Sequence, residues 1–396
     1  MSKPRVEVAP PVDLARLQQL PDLPAWLAQH QIIDHQGRYL PWCQLKWRLP
    51  RARARDVWQA IRFKRALQSQ PLPLLAQNGQ PFTWCLHPRL ALRLDHINQL
   101  VRDEHIRWPI NAEDDDCTEF DKEEAISSAQ LEGAATTRAD AEKMLAEGRQ
   151  PHTEDEQMVF NNLMLLREVE KMRDERLTLA LILRLHRIAT TGTTGNDVQP
   201  GVLRTTDDID VGDPEGHYRP TPASQLKQRL KALCDFANTD HTARILAGPE
   251  LCIDNVIKAM TLHFMLAYEH PFRDGNGRTA RALFYWFVLK HRYRWFRYIS
   301  ISLQLKAKPK QYGLAYQYTE TDQHDLTYFF DHQAQTILQA IAQLIGNLPP
   351  PPDVDAHARE KHVDYVATAQ RTLQPEFENQ PLPRVAQREA SYRASL

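Results

Sequence analysis

The sequence predicts a mainly α fold: a helical bundle carrying one short β-hairpin, behind an α-rich N-terminal unit. Three observations predict it. Between Ile126 and Ser300, apolar residues recur at helical spacing in five long segments. One stretch, "PGVLRTTDDIDVGDPEGHYRPTP" (200–222), breaks that habit with two short extended pieces around a Gly/Asp/Pro turn. The 27 Pro outnumber the 14 Gly and concentrate near the two ends, so the packed part is the middle.

In chain order, residues 1–30 are Pro-rich and read as an extended arm with one short helix. An α-rich unit follows over 31–112. In it "QGRYLPW" (36–42) is a turn leading into an extended apolar piece. "ARDVWQAIRFKRAL" (54–67) sets Val57, Trp58, Ile61 and Leu67 at helical spacing, and "LRLDHINQLV" (92–101) repeats the pattern. Seven basic residues from Arg48 to Arg65 meet one acid, Asp56. A solvated helix face is the plain reading, and a nucleic-acid patch the sharper one. Eight acids in "NAEDDDCTEFDKEE" (111–124) mark an exposed linker into a helix. The main unit spans 113–345. It holds a helix over 123–147, further helices within 155–172, 178–190, 224–238 and 253–270, another from Thr279 to His291, and helix again over 311–345. "PPPP" (349–352) closes the core, and 346–396 is a polar tail.

Bulk composition excludes some classes. With 42% hydrophobic and 25% charged residues this is an ordinary globular chain. A net charge of −1 gives no global pull toward nucleic acid or membrane. "MSKPRVEVAPPVD" lacks the apolar segment of a secretory signal, and the longest apolar run, "ALFYWFVL" (282–289), is too short to span a bilayer. Five scattered cysteines without CxxC spacing read as reduced thiols, so a cytoplasmic location is expected.

The chemistry concentrates in "HPFRDGNGRTAR" (270–281). Pro271 disfavours α conformation at the residue before it, so the preceding helix should end near His270. A new amphipathic helix is expected from Thr279, leaving 271–277 as a tight loop. Its glycines permit close backbone approach, and the free N–H groups of a helix start attract anions. Arg278 and Arg281 flank that start and suit a polyphosphate. Asp274 can hold Mg²⁺, which takes few carboxylates plus phosphate oxygens. His270 can accept a hydroxyl proton near pH 7. Other readings fail on spacing: there is no P-loop string, no EF-hand ligand pattern, and His263 and His270 lie too far apart to share one zinc.

The string resembles the Fic family signature, HPF-x-[DE]-G-N-[GK]-R-x-x-R, at every defined position. The resemblance covers roughly 113–345 and implies a Fic-type helical core with a hairpin flap. It also implies transfer of AMP from ATP to a protein hydroxyl, with Mg²⁺. His270 would be the general base and Phe272 would anchor the loop. Asp274 would bind Mg²⁺, and Gly275 and Gly277 would shape the anion cradle. Asn276 would hold the α-phosphate, and Arg278 and Arg281 the outer phosphates. Gly rather than Lys at 277 points to nucleotidyl transfer. Tyr312 resembles a tyrosine near the adenosine. Arg204, Asp210, Gly212 and Gly216 would belong to the flap that clamps a target by strand addition.

A second motif qualifies the first. Ser128-x-x-x-Glu132-Gly133 resembles the inhibitory motif of self-inhibited Fic proteins, in which the Glu pairs with the second signature arginine, here Arg281. The same Glu serves de-AMPylation in some members. The leading expectation is thus a self-inhibited AMP-transferase. A de-AMPylase or UMP-transferase, and a nucleotide-sensing DNA-linked regulator, stand as alternatives. Expected partners are a target protein modified on Ser, Thr or Tyr, the chain itself, and a second copy in a homodimer. Membrane and DNA are not expected.

Overall fold

The computed structural model describes residues 6–102, 119–209, 211, 219–241 and 253–347. Three short helices, α1 (Leu14–Gln18), α2 (Leu23–Gln29) and α3 (Trp42–Leu45), lie against α4 (Arg51–Gln68). The opening arm therefore carries two helices rather than one. Each is started by an aspartate: Asp13 accepts from the Arg16 N–H and Asp22 from the Ala25 N–H. Val57, Trp58 and Ile61 of α4 pack with Leu40, Trp42 and Leu45, while Leu67, at the fraying end, is exposed.

The basic run is not wholly solvated. Arg51, Arg53 and Arg55 are exposed, but Arg62 and Arg65 are buried. Arg65 donates to the carbonyls of Ile32 and Leu40 and to the Tyr328 hydroxyl, and its guanidinium lies 3.5 Å from the Tyr39 ring centroid. Arg62 Nε stands 3.1 Å from Asp322 Oδ1. These contacts fasten the N-terminal unit to the last two helices described below.

The only sheet among the described residues pairs β1 (Gln70–Leu75) with β2 (Pro81–Trp84), antiparallel, with Gln70 opposite Trp84 and Leu75 opposite Pro81. It lies in the unit expected to be α-rich. Leu72 and Leu74 alternate inward, and Gly79 takes the left-handed conformation in the turn (φ 80°). The expected 204–219 flap is described only in part: residues 204–209 carry no strand, Val211 sits in a β-bridge, and Asp210, Gly212 and Gly216 lie outside the described residues. The Arg204 N–H donates to the Pro271 carbonyl. Helix α5 (Pro88–Arg102) follows β2, and one continuous apolar cluster runs from Leu72 through α5 to Ile345.

The remaining helices are α6 (Glu119–Leu131), α7 (Arg138–Glu147), α8 (Glu154–Lys171), α9 (Leu179–Thr190), α10 (Leu226–Asn238), α11 (Asn255–Glu269), α12 (Asn276–Lys290), α13 (Ile301–Ala307), α14 (Pro309–Thr321) and α15 (Thr327–Asn347). The single helix expected over 123–147 is two. Gly133 (φ 100°) turns the chain after α6, and Thr137 caps α7 by accepting from the Asp140 N–H. Helices α11 and α12 pack side by side at the centre and are buried on nearly every face. α11 ends at His270 (φ 45°), one residue before Pro271, as expected. α12 begins at Asn276, three residues earlier than expected, because the left-handed Gly275 (φ 75°) completes the turn by itself.

Candidate active site

The loop from α11 to α12 is held by its own side chains. Asn276 Oδ1 accepts from the Phe272 N–H at 3.0 Å and its Nδ2 donates to the Phe272 carbonyl at 2.8 Å. The Asn276 side chain, expected on an α-phosphate, is thus spent on bracing the loop. Phe272 is fully buried, worth about 2–3 kcal/mol of anchoring, and stacks on the His186 ring at 3.6 Å and 2°. Gly275 is pressed against α9: an added Cβ would lie 2.5 Å from Thr190 Cγ2.

Arg278 points into the core. Its Nη1 donates to the Ala189 carbonyl (2.8 Å) and its Nη2 to Asp274 Oδ2 (2.7 Å). Arg281, one turn on, meets α6. Its Nε and Nη2 donate to Ser128 Oγ at 3.0 and 2.8 Å, Nη2 also reaches the Ser128 carbonyl, and Nη1 lies 2.9 Å from Glu132 Oε1 as an ion pair. Burial opposes the Arg281 charge, but Glu132, Tyr312 and Glu124 outweigh it and raise the pKa. The Glu132 carboxylate also fills the space that Gly277 leaves open, since a Cβ there would stand 2.2 Å from Oε1 and 2.8 Å from Cδ. The carboxylate therefore sits at the start of α12, where the helix dipole favours an anion. Gly133, beyond it, supplies the turn that ends α6.

His270 is half-buried at the mouth of this loop. Burial, helped by Arg204 and opposed by Glu132, pushes its pKa down to about 4, so the ring is neutral at pH 7. Arg204 is turned inward. It is buried, and its Nε donates to the His270 carbonyl at 2.8 Å while Nη1 pairs with Asp207 at 2.9 Å and Nη2 with the Thr221 carbonyl. The physical reason is the left-handed His270, whose carbonyl needs a donor once its helix has stopped. Tyr312 on α14 is brought close: its hydroxyl lies 2.8 Å from His263 Nε2, and the fields of Arg281 and Glu132 reach it.

Several residues of this site carry no motif. Arg273, the variable signature position, ties the loop's outer face to the Asn196 carbonyl and to Asp208. Glu154 accepts from the Thr194 and Gly195 N–H groups, holding the turn that touches Asp274. Glu124, fully inside, accepts from Ser300 Oγ and the Ser302 N–H and so pins α6 to the start of α13. The one available sequence signal was His186, a polar residue on the apolar face made by Ile182, Leu185 and Ala189. Among the described residues no three His, Cys, Asp or Glu side chains form a ready-made metal cluster. Asp274, 29% exposed and with no side chain on neighbouring Gly195, offers one carboxylate at the opening.

Residues 176–288 match the Fic/DOC family. "Protein adenylyltransferase fic-1" of Caenorhabditis elegans is 33% identical over 129 residues, covering 33% of this chain and 22% of that protein. The protein of the same name from Caenorhabditis briggsae is 31% identical over 102 residues, 26% and 17% of the two chains. The matched stretch thus spans about a fifth of these relatives. A Fic family protein from Desulfovibrio desulfuricans G20 superposes with a TM-score of 0.53 at 15% identity, covering 75% of this chain and 91% of the other. C. elegans Fic-1 superposes at 0.50 and 20% identity, covering 77% and 80%. At these identities the two structures speak for the fold, a mainly α Fic fold.

Proposed function

Because the chain carries a Fic/DOC family domain, we propose that it is a protein adenylyltransferase held in check by Glu132. The single observation that carries the reading is the 2.9 Å Arg281–Glu132 pair set over Gly277, which puts a carboxylate at the head of α12. An anion site occupied by a side chain from another element is what a nucleotide phosphate would have to displace.

The residues then divide the work. Asp274 would hold Mg²⁺, which when bound neutralises charge on the phosphates. The start of α12, with Arg278 beneath it and Arg281 once released, orients the triphosphate. The target hydroxyl oxygen bonds to the α-phosphorus, its proton passes to the neutral His270, and the bond to the bridging oxygen breaks to release pyrophosphate. Arg204, on the His270 carbonyl, keeps that ring at the mouth of the loop. The names of the two worm relatives support ATP as donor and a protein as acceptor.

The test is to incubate wild type, Glu132→Gly and His270→Ala with labelled ATP, GTP and UTP and to record labelled protein. Label from ATP should rise about fivefold in Glu132→Gly, the worth of about 1 kcal/mol for one partly exposed ion pair, and vanish in His270→Ala. No gain in Glu132→Gly refutes the restraint. Label from UTP in place of ATP changes the nucleotide.

A further inference from the structure

We propose that His186 is a positioning residue that sets the Asp274 carboxylate against the start of α12 by holding the backbone between them; this rests on the transferase reading above. Three contacts define its role. His186 Nδ1 lies 2.9 Å from the Gly201 nitrogen, whose N–H can only donate. Nδ1 is therefore an unprotonated acceptor, and the neutral ring carries its proton on Nε2. Nε2 lies 3.0 Å from the Asp274 carbonyl oxygen, so it donates there. The parallel Phe272 ring, 3.6 Å away, keeps the imidazole from turning, and the side chain is fully buried.

The bond falls at a mechanically sensitive place. The Asp274 carbonyl belongs to the peptide that joins the carboxylate residue to Gly275, whose left-handed backbone (φ 75°) launches α12. A glycine permits that peptide other orientations at little cost. Arg278 fixes one carboxylate oxygen from below, but nothing in that contact sets the peptide plane. His186 does, and it does so from α9, which is anchored by Leu181, Ile182, Leu185 and Ala189 in the core. Its other nitrogen holds the Gly201 turn, three residues ahead of Arg204, which in turn holds the His270 carbonyl. One imidazole thus links the residue proposed for the metal with the strand of chain that steadies the proposed base.

The two ring nitrogens can be separated by substitution. In the full chain carrying Glu132→Gly, His186→Gln places an amide N–H near the position of Nε2 and keeps the donor to Asp274. His186→Asn places its amide near Nδ1 and keeps only the Gly201 contact. Calorimetric titration with ATP, with and without Mg²⁺, reads the result. The Asn variant should lose about tenfold in affinity for ATP with Mg²⁺, as losing support behind a metal ligand does, and little without Mg²⁺. The Gln variant should stay within about threefold of the parent, as a retained hydrogen bond allows. Without any ligand, amide exchange over 271–277 should be faster in the Asn variant than in the Gln variant. Equal losses and equal exchange in the two variants assign His186 to packing and overturn the inference alone. A Glu132→Gly parent without Mg²⁺-dependent ATP binding overturns the transferase reading and this inference with it.

Discussion

The 270–281 loop lies between two walls that grip it differently. On the α8–α9 side most contacts are internal to the core, the exposed Glu154 turn apart. Arg278 is spent on Ala189 and Asp274, His186 on Asp274 and Gly201, and Asn161 Nδ2 donates to the Thr191 carbonyl at 2.8 Å. On the α6 side the helix itself is fixed through Glu124, but the residue that reaches the loop, Glu132, stands just past the helix end on the turn made by Gly133. Its side chain is 27% exposed, against 2% for Arg281. The braced wall supplies geometry that cannot be lost without losing the site. The other supplies an ion pair that one flexible side chain can give up, and a partly exposed pair of that kind is worth about 1 kcal/mol.

Three experiments break or sharpen this contrast. The largest effect is expected from Asp274→Ala in the Glu132→Gly background. Removing the one carboxylate at the opening should cut labelling by about a hundredfold or more, since positioning and charge neutralisation are most of phosphoryl-type catalysis. Undiminished labelling would make both walls dispensable and end the comparison. Next is Gly277→Ala. The added methyl occupies the carboxylate itself, and rotation of the Glu132 head cannot clear it because Cδ is also within 2.8 Å. The displaced atoms end a flexible side chain, so expulsion is cheap. Amide exchange over 129–137 should rise several-fold, to the level of Glu132→Gly, as a lost contact worth about 1 kcal/mol requires. Wild-type exchange would show that Glu132 and a side chain at 277 coexist.

The smallest effect is in pH. The rings of His186, buried, and His270, half-buried, are both pushed down to about 4, chiefly by burial, and are neutral in the fold. Between the unfolded value near 6.5 and about 4 the unfolded chain binds more protons, so stability falls as pH drops through that window. Melting temperature measured from pH 7 to 4.5 should decline, and less steeply in His186→Gln. In Glu132→Gly, which also removes the one carboxylate that raises the His270 pKa, labelling should hold from pH 7 to 5 and fail with a midpoint no higher than about 4. A midpoint near 6.5 would place the His270 ring in water rather than against Arg204.

Much of this was legible in the residues. The helix stop at His270 and the helical habit of 155–190 and 253–291 follow from a proline and periodicity, whereas the pairing of Glu132 with Arg281 was implied only by the resemblance of its motif to that of self-inhibited Fic proteins. The β1–β2 hairpin was legible too, in "LPLLAQNGQPFTW" (72–84), where Asn-Gly sits between alternating apolar residues, though its signal is short beside the helical patterns on either side. Arg62 and Arg65 were not, because their partners Asp322 and Tyr328 lie more than 250 residues away and a local charge count sees only neighbours.

By itself, then, the sequence determined which residue types would crowd into one short stretch and in what order: a histidine, an arginine, an acid, two glycines about an asparagine, and two more arginines. The tertiary structure decided what each one faces. It turned Asn276 inward onto Phe272, put Arg204 behind His270, and gave Arg278 to the core and Arg281 to α6. The physical reason is that a buried donor or acceptor takes the partner that packing delivers, and packing is settled by helices far apart in the chain.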